Sequence, residues 1–171
     1  ISALGDNGLT VVTNAGDGRI RGFEADLTWA PAPGLTLSAS GSYNDAKLVT
    51  DFCAFANPNQ DCTLPGPGGL PNDVLAPSGT RLPDTPRFKG NAVGRYEWTM
   101  GNGLDAHLQG AIIYEGSRNG DLRVGVRDIV GDFPSYTMVD LSAGISRDKW
   151  SFELYATNLF DSNAITSRSV Q

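Results

Sequence analysis

Apolar and polar residues alternate at successive positions along much of this chain. The pattern is clearest over 34–47, GLTLSASGSYNDAK, where every second residue from Leu35 to Tyr43 is apolar or small and the residues between them are polar. Side chains alternate between the two faces of a strand, so this spacing predicts β-structure. Similar alternation predicts six strands, at 19–30, 35–47, 87–98, 104–115, 136–147 and 150–157. Most of them reach the roughly 9–11 residues with which a tilted strand crosses a bilayer.

The connections between these strands alternate in length. The short ones are 31–34, 99–103 and 147–149, and the long or polar ones are 14–18, 48–85, 116–135 and 161–171. Tight turns at one rim and large loops at the other are typical of a transmembrane barrel. We expect 48–85 to lack regular structure, and its stretch 66–79, GPGGLPNDVLAPSG, to form no strand, because proline cannot donate to a ladder. The segment 121–130 is open between a loop and an extra strand, and 9–13 is expected to end another strand.

The aromatic residues of the apolar faces cluster by strand end. Trp29, Trp98 and Trp150 lie beside the short turns, whereas Tyr43 and Tyr114 lie toward the long connections. Outer-membrane barrels carry an aromatic girdle at each membrane interface, although the same residues would also fill a soluble core. We favour the girdle, and the predicted fold class is all-β, an antiparallel transmembrane β-barrel.

Composition narrows the function classes. The 171 residues carry a net charge of −6, which argues against a nucleic-acid partner. No apolar run reaches the length of a transmembrane helix. Cys53 and Cys62 lack metal-ligand spacing and favour a local disulfide in an oxidising compartment, with two free thiols as the alternative. The chain begins at Ile1 without a visible signal peptide, so we expect it to be a piece of a longer product.

A set of charged and polar residues is predicted to line the barrel lumen. Two interpretations are open, a basic patch that attracts an anionic ligand and a network of ion pairs with acidic residues of adjacent strands, and we favour the second. The single histidine is expected to be a solvated lumen residue rather than a catalytic group or an iron ligand. No nucleophile signature occurs, so we predict no catalytic residue, no metal site and no cofactor. The lumen residues are Arg87, Lys89, Arg95, Asp105, His107 and Gln109.

Five short motifs carry a resemblance to a known family. They are GFE at 22–24, SYNDA at 42–46, PDTPR at 83–87, YTMVDL at 136–141 and NLFD at 158–161. Their order and spacing resemble the C-terminal part of the barrel of TonB-dependent outer-membrane receptors, and NLFD is the most specific of them. The resemblance implies that 1–171 is the C-terminal portion of a barrel of about 22 strands. It also implies a plug domain and a TonB box, neither of which is among these residues.

The resemblance implies energised import of a scarce ligand across the outer membrane of a Gram-negative bacterium. The implied partners are a TonB-type energy-coupling complex, outer-membrane lipid and a small-molecule ligand such as a siderophore, a cobalamin or an oligosaccharide. Ligand contacts are expected in the long connections, because loops on a rigid scaffold concentrate binding residues. The alternatives are a passive porin-like channel and a soluble β-sandwich binding module. The candidate ligand-binding residues are Asp51, Asn57, Asn59, Arg81, Arg118, Asn119, Asp121, Arg123 and Arg127.

Overall fold

The computed structural model describes residues 2–4, 10–12, 16–57, 59–101 and 103–167. In chain order its elements are β1 Ser2–Leu4, β2 Thr10–Val12, β3 Gly18–Ala32, β4 Leu35–Leu48, β5 Phe52–Cys53, a 3-10 turn at Pro67–Gly69, β6 Val74–Ala76, β7 Phe88–Thr99, β8 Asp105–Glu115, α1 Val124–Val130, β9 Tyr136–Arg147 and β10 Trp150–Ala156. No helix among these described residues is long and apolar enough to cross a membrane.

Six strands form one antiparallel sheet in the order β10-β9-β8-β7-β4-β3. Each pairs with its neighbour in the chain, except that β5 and β6 lie between β4 and β7 and form a separate two-stranded sheet. The sheet is open, with β3 and β10 at its edges. The predicted fold class is confirmed, and all six predicted strands are present with boundaries shifted by at most two residues.

One face of the sheet is apolar from edge to edge. The pairing aligns Leu27, Ala39, Ala92, Ile112 and Val139 in one row across five strands. Large apolar side chains on this face are exposed, so the face has no protein layer covering it among the described residues. An uncovered apolar surface of this extent marks contact with lipid or with another protein.

The height of the apolar face suits a bilayer. An aromatic row of Phe23, Tyr43 and Phe88, with ring centroids 5.7 and 5.0 Å apart, lies at the long-connection end. Tyr96 and Trp98 stack at 5.4 Å near the short turns. Phe88 and Trp98 bracket ten residue steps of β7, or about 34 Å along the strand. At a tilt of about 45° this is roughly 24 Å along the membrane normal, close to the apolar band of outer-membrane barrels.

The turn between β3 and β4 is shorter than predicted. β3 continues to Ala32 through an irregularity after Trp29, so Pro33 and Gly34 alone make the turn rather than the whole of 31–34. Gly34 has φ +77°, and its carbonyl accepts the N–H of Glu97 at 2.8 Å. A Cβ at residue 34 would overlap the Glu97 carbonyl oxygen, so glycine alone fits this approach.

The prediction that 48–85 lacks structure was wrong. Val74–Ala76 within 66–79 forms β6, paired with Phe52–Cys53. The prolines at 71 and 77 flank this short strand instead of interrupting it, so its ladder loses no donor. Arg81 bridges Lys47, and the Leu82 N–H donates to the Ala46 carbonyl at 3.0 Å.

The alternative of an extra strand at 121–130 was also wrong, because Val124–Val130 is helix α1. The Asp121 carboxylate accepts the Arg123 N–H at 2.8 Å, and Gly131 ends the helix with φ +80°. Valines favour strands, but a strand needs a partner for its backbone groups, whereas a helix satisfies them internally. Of the strand end expected at 9–13, Thr10–Val12 pairs with Ser2–Leu4 in a separate sheet. The start of the predicted turn 14–18 lies outside the described residues.

Candidate functional site

The face of the sheet opposite the apolar one is lined by charged and polar side chains. The structure places Lys89, Arg95, Asp105, His107 and Gln109 on this face, and Arg87 directly before β7. Arg95 contacts two of its neighbours, through Nε to Glu97 Oε1 at 2.8 Å and through Nη1 to Gln109 Oε1 at 3.2 Å. Arg95 is therefore a paired cation on the polar face of the sheet.

The other polar-face residues also have protein contacts. Lys89 Nζ lies 3.7 Å from Glu115 Oε2, although most of the lysine side chain is exposed. The Thr99 hydroxyl donates to Asp105 Oδ1 at 2.7 Å. The carbonyl of Arg87 accepts the N–H of Asn44 at 2.9 Å, which extends the pairing of β4 and β7 by one step.

His107 lies across Gly144 of the neighbouring strand. Its Nε2 is 3.5 Å from Glu153 Oε1, near enough for an ion pair, yet this buried nitrogen has no hydrogen-bond partner among the described residues. We therefore treat His107 and Glu153 as not hydrogen-bonded, because a distance of 3.5 Å is too long for a strong hydrogen bond. A Cβ at residue 144 would overlap the imidazole, so Gly144 makes the space that the ring fills. No group of three or more metal-ligating side chains occurs within the described part of the chain.

The two long connections, 49–87 and 116–135, pack together as one layer, which we call the loop layer. Its core is formed by Leu48, Phe52, Ala76 and Leu122, all at most 6% exposed, with Leu75 and Leu82 packed against them. Leu48 belongs to a sheet strand and Leu122 to the second connection. Burial of these side chains therefore fixes both connections to the same end of the sheet.

The Cys53–Cys62 pair closes one corner of the loop layer. The two cysteines form a disulfide with Cα atoms 5.3 Å apart. Beside it is a cavity of about 270 Å³, lined by Asp51, Phe52, Asn57 and Gln60 among others. The Thr50 hydroxyl bonds to Gln60, and Asn57 exchanges hydrogen bonds with the backbone of Asp61 at 2.9 and 3.0 Å. The Thr63 hydroxyl and N–H donate to the Asp61 carboxylate and hold its pKa below the usual value.

Most of the candidate ligand-binding residues are occupied by contacts inside the loop layer. Arg81 donates to the Ser117 carbonyl at 3.0 Å, and buried Asn119 donates to the Arg81 carbonyl at 3.2 Å. Asp121 and Arg123 form a pair at 2.9 Å, and this hydrogen-bonded guanidinium lowers the pKa of the Asp121 carboxyl. These four residues therefore connect the two long connections or shape the second one.

The remaining candidates differ in accessibility. Asp51 accepts the N–H of Ser78 at 2.7 Å. Arg127 of α1 reaches Asp132, which follows the helix, at 3.8 Å. Asn59 is exposed, and Asn57 is partly buried in its turn. Of the residues expected to bind ligand, Asn59 is thus the most available at the surface of the loop layer.

A buried carboxylate at the base of the loop layer was missed as a site residue. Glu115 is 7% exposed, and its Oε1 lies 2.6 Å from Arg118 Nη1 while its Oε2 accepts from the Tyr136 hydroxyl at 3.3 Å. Arg118 also stacks over Phe133 at 5.0 Å and donates to the Ile165 carbonyl at 3.1 Å. The spacing of Glu115 and Arg118, three residues apart at a strand end, was the available signal. We call Glu115, Arg118 and Tyr136 the base cluster.

Comparison with known proteins gives one match. A family model described as TonB dependent receptor-like, beta-barrel matches residues 1–159. No curated protein and no solved structure matches the chain. The matched span includes all six strands of the sheet and the whole loop layer.

Proposed function

Because the chain belongs to the family of TonB-dependent receptor-like β-barrels, whose members are outer-membrane receptors and transporters, we propose that it forms the C-terminal part of the barrel of a receptor that imports a scarce small molecule. The import is driven by a TonB-type complex of the inner membrane of a Gram-negative bacterium. The rest of the barrel, the plug and the TonB box belong to the longer protein of which 1–171 is a portion.

One observation carries this proposal. A six-stranded antiparallel sheet of membrane-crossing height has an uncovered apolar face and an opposite face lined by paired charges. A soluble sandwich would cover the apolar face with a second sheet. In a barrel, the apolar face meets lipid and the polar face meets the wet interior, so both faces are satisfied.

The loop layer is the proposed ligand-contacting surface. Its internal contacts support a firm platform, because the core of Leu48 and Phe52, the disulfide and the Arg81–Ser117 bond join separate parts of the chain. We assign the ligand contacts to exposed polar groups at its surface, led by Asn59. Preorganised surfaces bind with a smaller loss of conformational entropy than flexible loops do.

The experiment that tests the proposed function measures energy dependence. Uptake by cells expressing the full-length receptor is measured with a panel of a ferric siderophore, a cobalamin and an oligosaccharide. We expect saturable uptake of one class that stops when the proton gradient is collapsed or the TonB protein is deleted. A passive channel would continue to admit solutes under both treatments, and that result would contradict the proposal.

Deletion of 58–71 should reduce ligand uptake without reducing barrel assembly. None of the described residues within 58–71 belongs to the six-stranded sheet, so the deletion removes none of their ladder hydrogen bonds from it. The deletion removes Cys62, and the matched control is therefore a receptor with both cysteines replaced by serine and the loop intact. Immunoblots of outer membranes measure assembly, and labelled ligand measures uptake. Normal uptake at every ligand concentration would argue against the loop layer as the contact surface, and loss of assembly would make 58–71 part of the fold.

A further inference from the structure

A group of basic side chains lies just beyond the aromatic row on the apolar side of the sheet. The pairing of β3 with β4 places Arg21 opposite Asp45 and Arg19 opposite Lys47. Residues 19 and 21 share a strand face with Phe23, and residues 45 and 47 share one with Tyr43. This basic cluster of Arg19, Arg21 and Lys47 therefore borders the apolar face at its long-connection end.

The basic cluster has an excess of positive charge. Lys47 Nζ lies 2.8 Å from Asp45 Oδ2, so one of the three cations is matched by a carboxylate on this face. Two guanidinium groups remain beside the pair. Guanidinium forks match the oxygens of a phosphate in two-point hydrogen bonds, and this geometry favours phosphate over a simple halide.

The depth of the cluster matches the headgroup region of a bilayer. Arg21 lies two residues and Arg19 four residues beyond Phe23, or about 7 and 14 Å along the strand. With a tilt of about 45°, these positions are roughly 5 and 10 Å above the aromatic row. Lipid phosphates lie at this height, directly outside the hydrocarbon core.

An apolar groove lies on the same face below the cluster. It has a volume of about 520 Å³, and its walls include Leu27, Trp29, Leu37, Ala92, Ile112 and Val139. Small residues, Ala25, Gly41 and Gly90, form the row between the groove and the aromatic row. One occupant with an anionic head and an apolar tail would satisfy both surfaces.

We propose that this face is a specific binding site for a phosphate-bearing lipid of the leaflet on the long-connection side. Its phosphate is held by Arg19, Arg21 and Lys47, and one acyl chain lies in the groove. The proposal rests on the proposed function, because it requires the apolar face to lie in the bilayer with the long connections outward.

The test compares two forms of one lipid on the full-length receptor purified from outer membranes. Bis-phosphorylated lipid A and the same lipid after enzymatic removal of its phosphates are titrated, and binding is measured by native mass spectrometry. We expect the wild type to prefer the phosphorylated form by about tenfold or more, because each basic side chain near an anionic leaflet adds a factor of about five. Replacing Arg19, Arg21 and Lys47 together by glutamine should bring this preference close to one.

Three further variants make the test specific. Arg19→Lys with Arg21→Lys keeps the charge but loses the two-point hydrogen bonds, and should lie between the wild type and the triple glutamine variant. Asp45→Asn removes the competing carboxylate and should tighten binding of the phosphorylated form. The matched control, Arg147→Gln with Lys149→Gln, neutralises two cations at the opposite, short-turn end and should behave as the wild type.

Several results would overturn the lipid site. One is an unchanged preference in the triple glutamine variant, and another is an equal loss in the Arg147 and Lys149 control. Displacement of the lipid by millimolar inorganic phosphate would indicate a free-anion site instead. A receptor that inserts and imports normally, but binds both lipid forms equally, would refute the lipid site and leave the proposed function intact.

Discussion

Leu37→Arg is expected to destabilise the assembled receptor by about 2–4 kcal/mol, whereas Ser38→Arg is expected to cost less than about 1 kcal/mol. Leu37 lies on the apolar face in register with Gly94, which is between the aromatic residues Phe88 and Trp98 of β7. A guanidinium there would enter the hydrocarbon core, where it loses its hydration without gaining a partner. Ser38 lies one residue along the same strand but on the polar face, opposite Thr28 and Val93.

The pair forms its own control, because the two substitutions add the same side chain at nearly the same depth. The measurement is the temperature at which the receptor, extracted from outer membranes, loses its folded mobility in detergent gels, together with its abundance in those membranes. We expect Leu37→Arg to lower both and Ser38→Arg to change neither appreciably. Equal sensitivity of the two positions would show that the faces are assigned wrongly.

Glu115→Ala is expected to cost about 3–5 kcal/mol of stability at the base of the loop layer. The substitution leaves the Arg118 guanidinium, which is 14% exposed, without its carboxylate at 2.6 Å. It also removes the acceptor of the Tyr136 hydroxyl. An unpaired buried charge is far costlier than the net stabilisation the intact pair provides. The loss should therefore loosen the connections that Arg118 joins, including its bond to the Ile165 carbonyl.

Limited proteolysis reports this loosening directly. Trypsin should cut the variant rapidly after Arg123 or Arg127, which follow the base cluster in the second long connection. Glu97→Ala is the matched control, since it breaks the Arg95 pair at 2.8 Å on an exposed part of the sheet and should cost less than about 1 kcal/mol. Combining Glu115→Ala with Arg118→Ala should recover part of the loss. A single variant as protease-resistant as the wild type would refute the role of the base cluster.

The base cluster also connects the polar face of the sheet to the loop layer. Lys89 projects from the polar face and reaches the same carboxylate that binds Arg118. The candidate ligand residues Arg81, Arg118 and Asn119 are therefore better understood as the framework that positions the surface. Substituting them would change uptake through the shape of the loop layer, whereas the exposed Asn59 is placed to act by contact.

The sequence by itself determined the six strands, their two faces and the alternation of short and long connections. These features have a local cause, because side chains on a strand repeat every two residues and tight turns join β3 to β4, β7 to β8 and β9 to β10. The apolar positions Leu35 and Leu37 and the polar positions Ser38 and Ser40 could be assigned without any knowledge of their neighbours. The motif order, ending in 158–161, then pointed to the family.

Only the tertiary structure decided how the long connections are built. Their order depends on contacts between residues far apart in the chain, such as Phe52 with Leu122 in the core and Arg118 with Ile165, 47 residues away. No local period encodes such contacts, so 48–85 gave no structural signal and 121–130 was compatible with a strand. The short segment Val74–Ala76 became a strand because Phe52–Cys53 was brought beside it. Val124–Val130 is a helix, which satisfies its backbone groups internally without a partner strand.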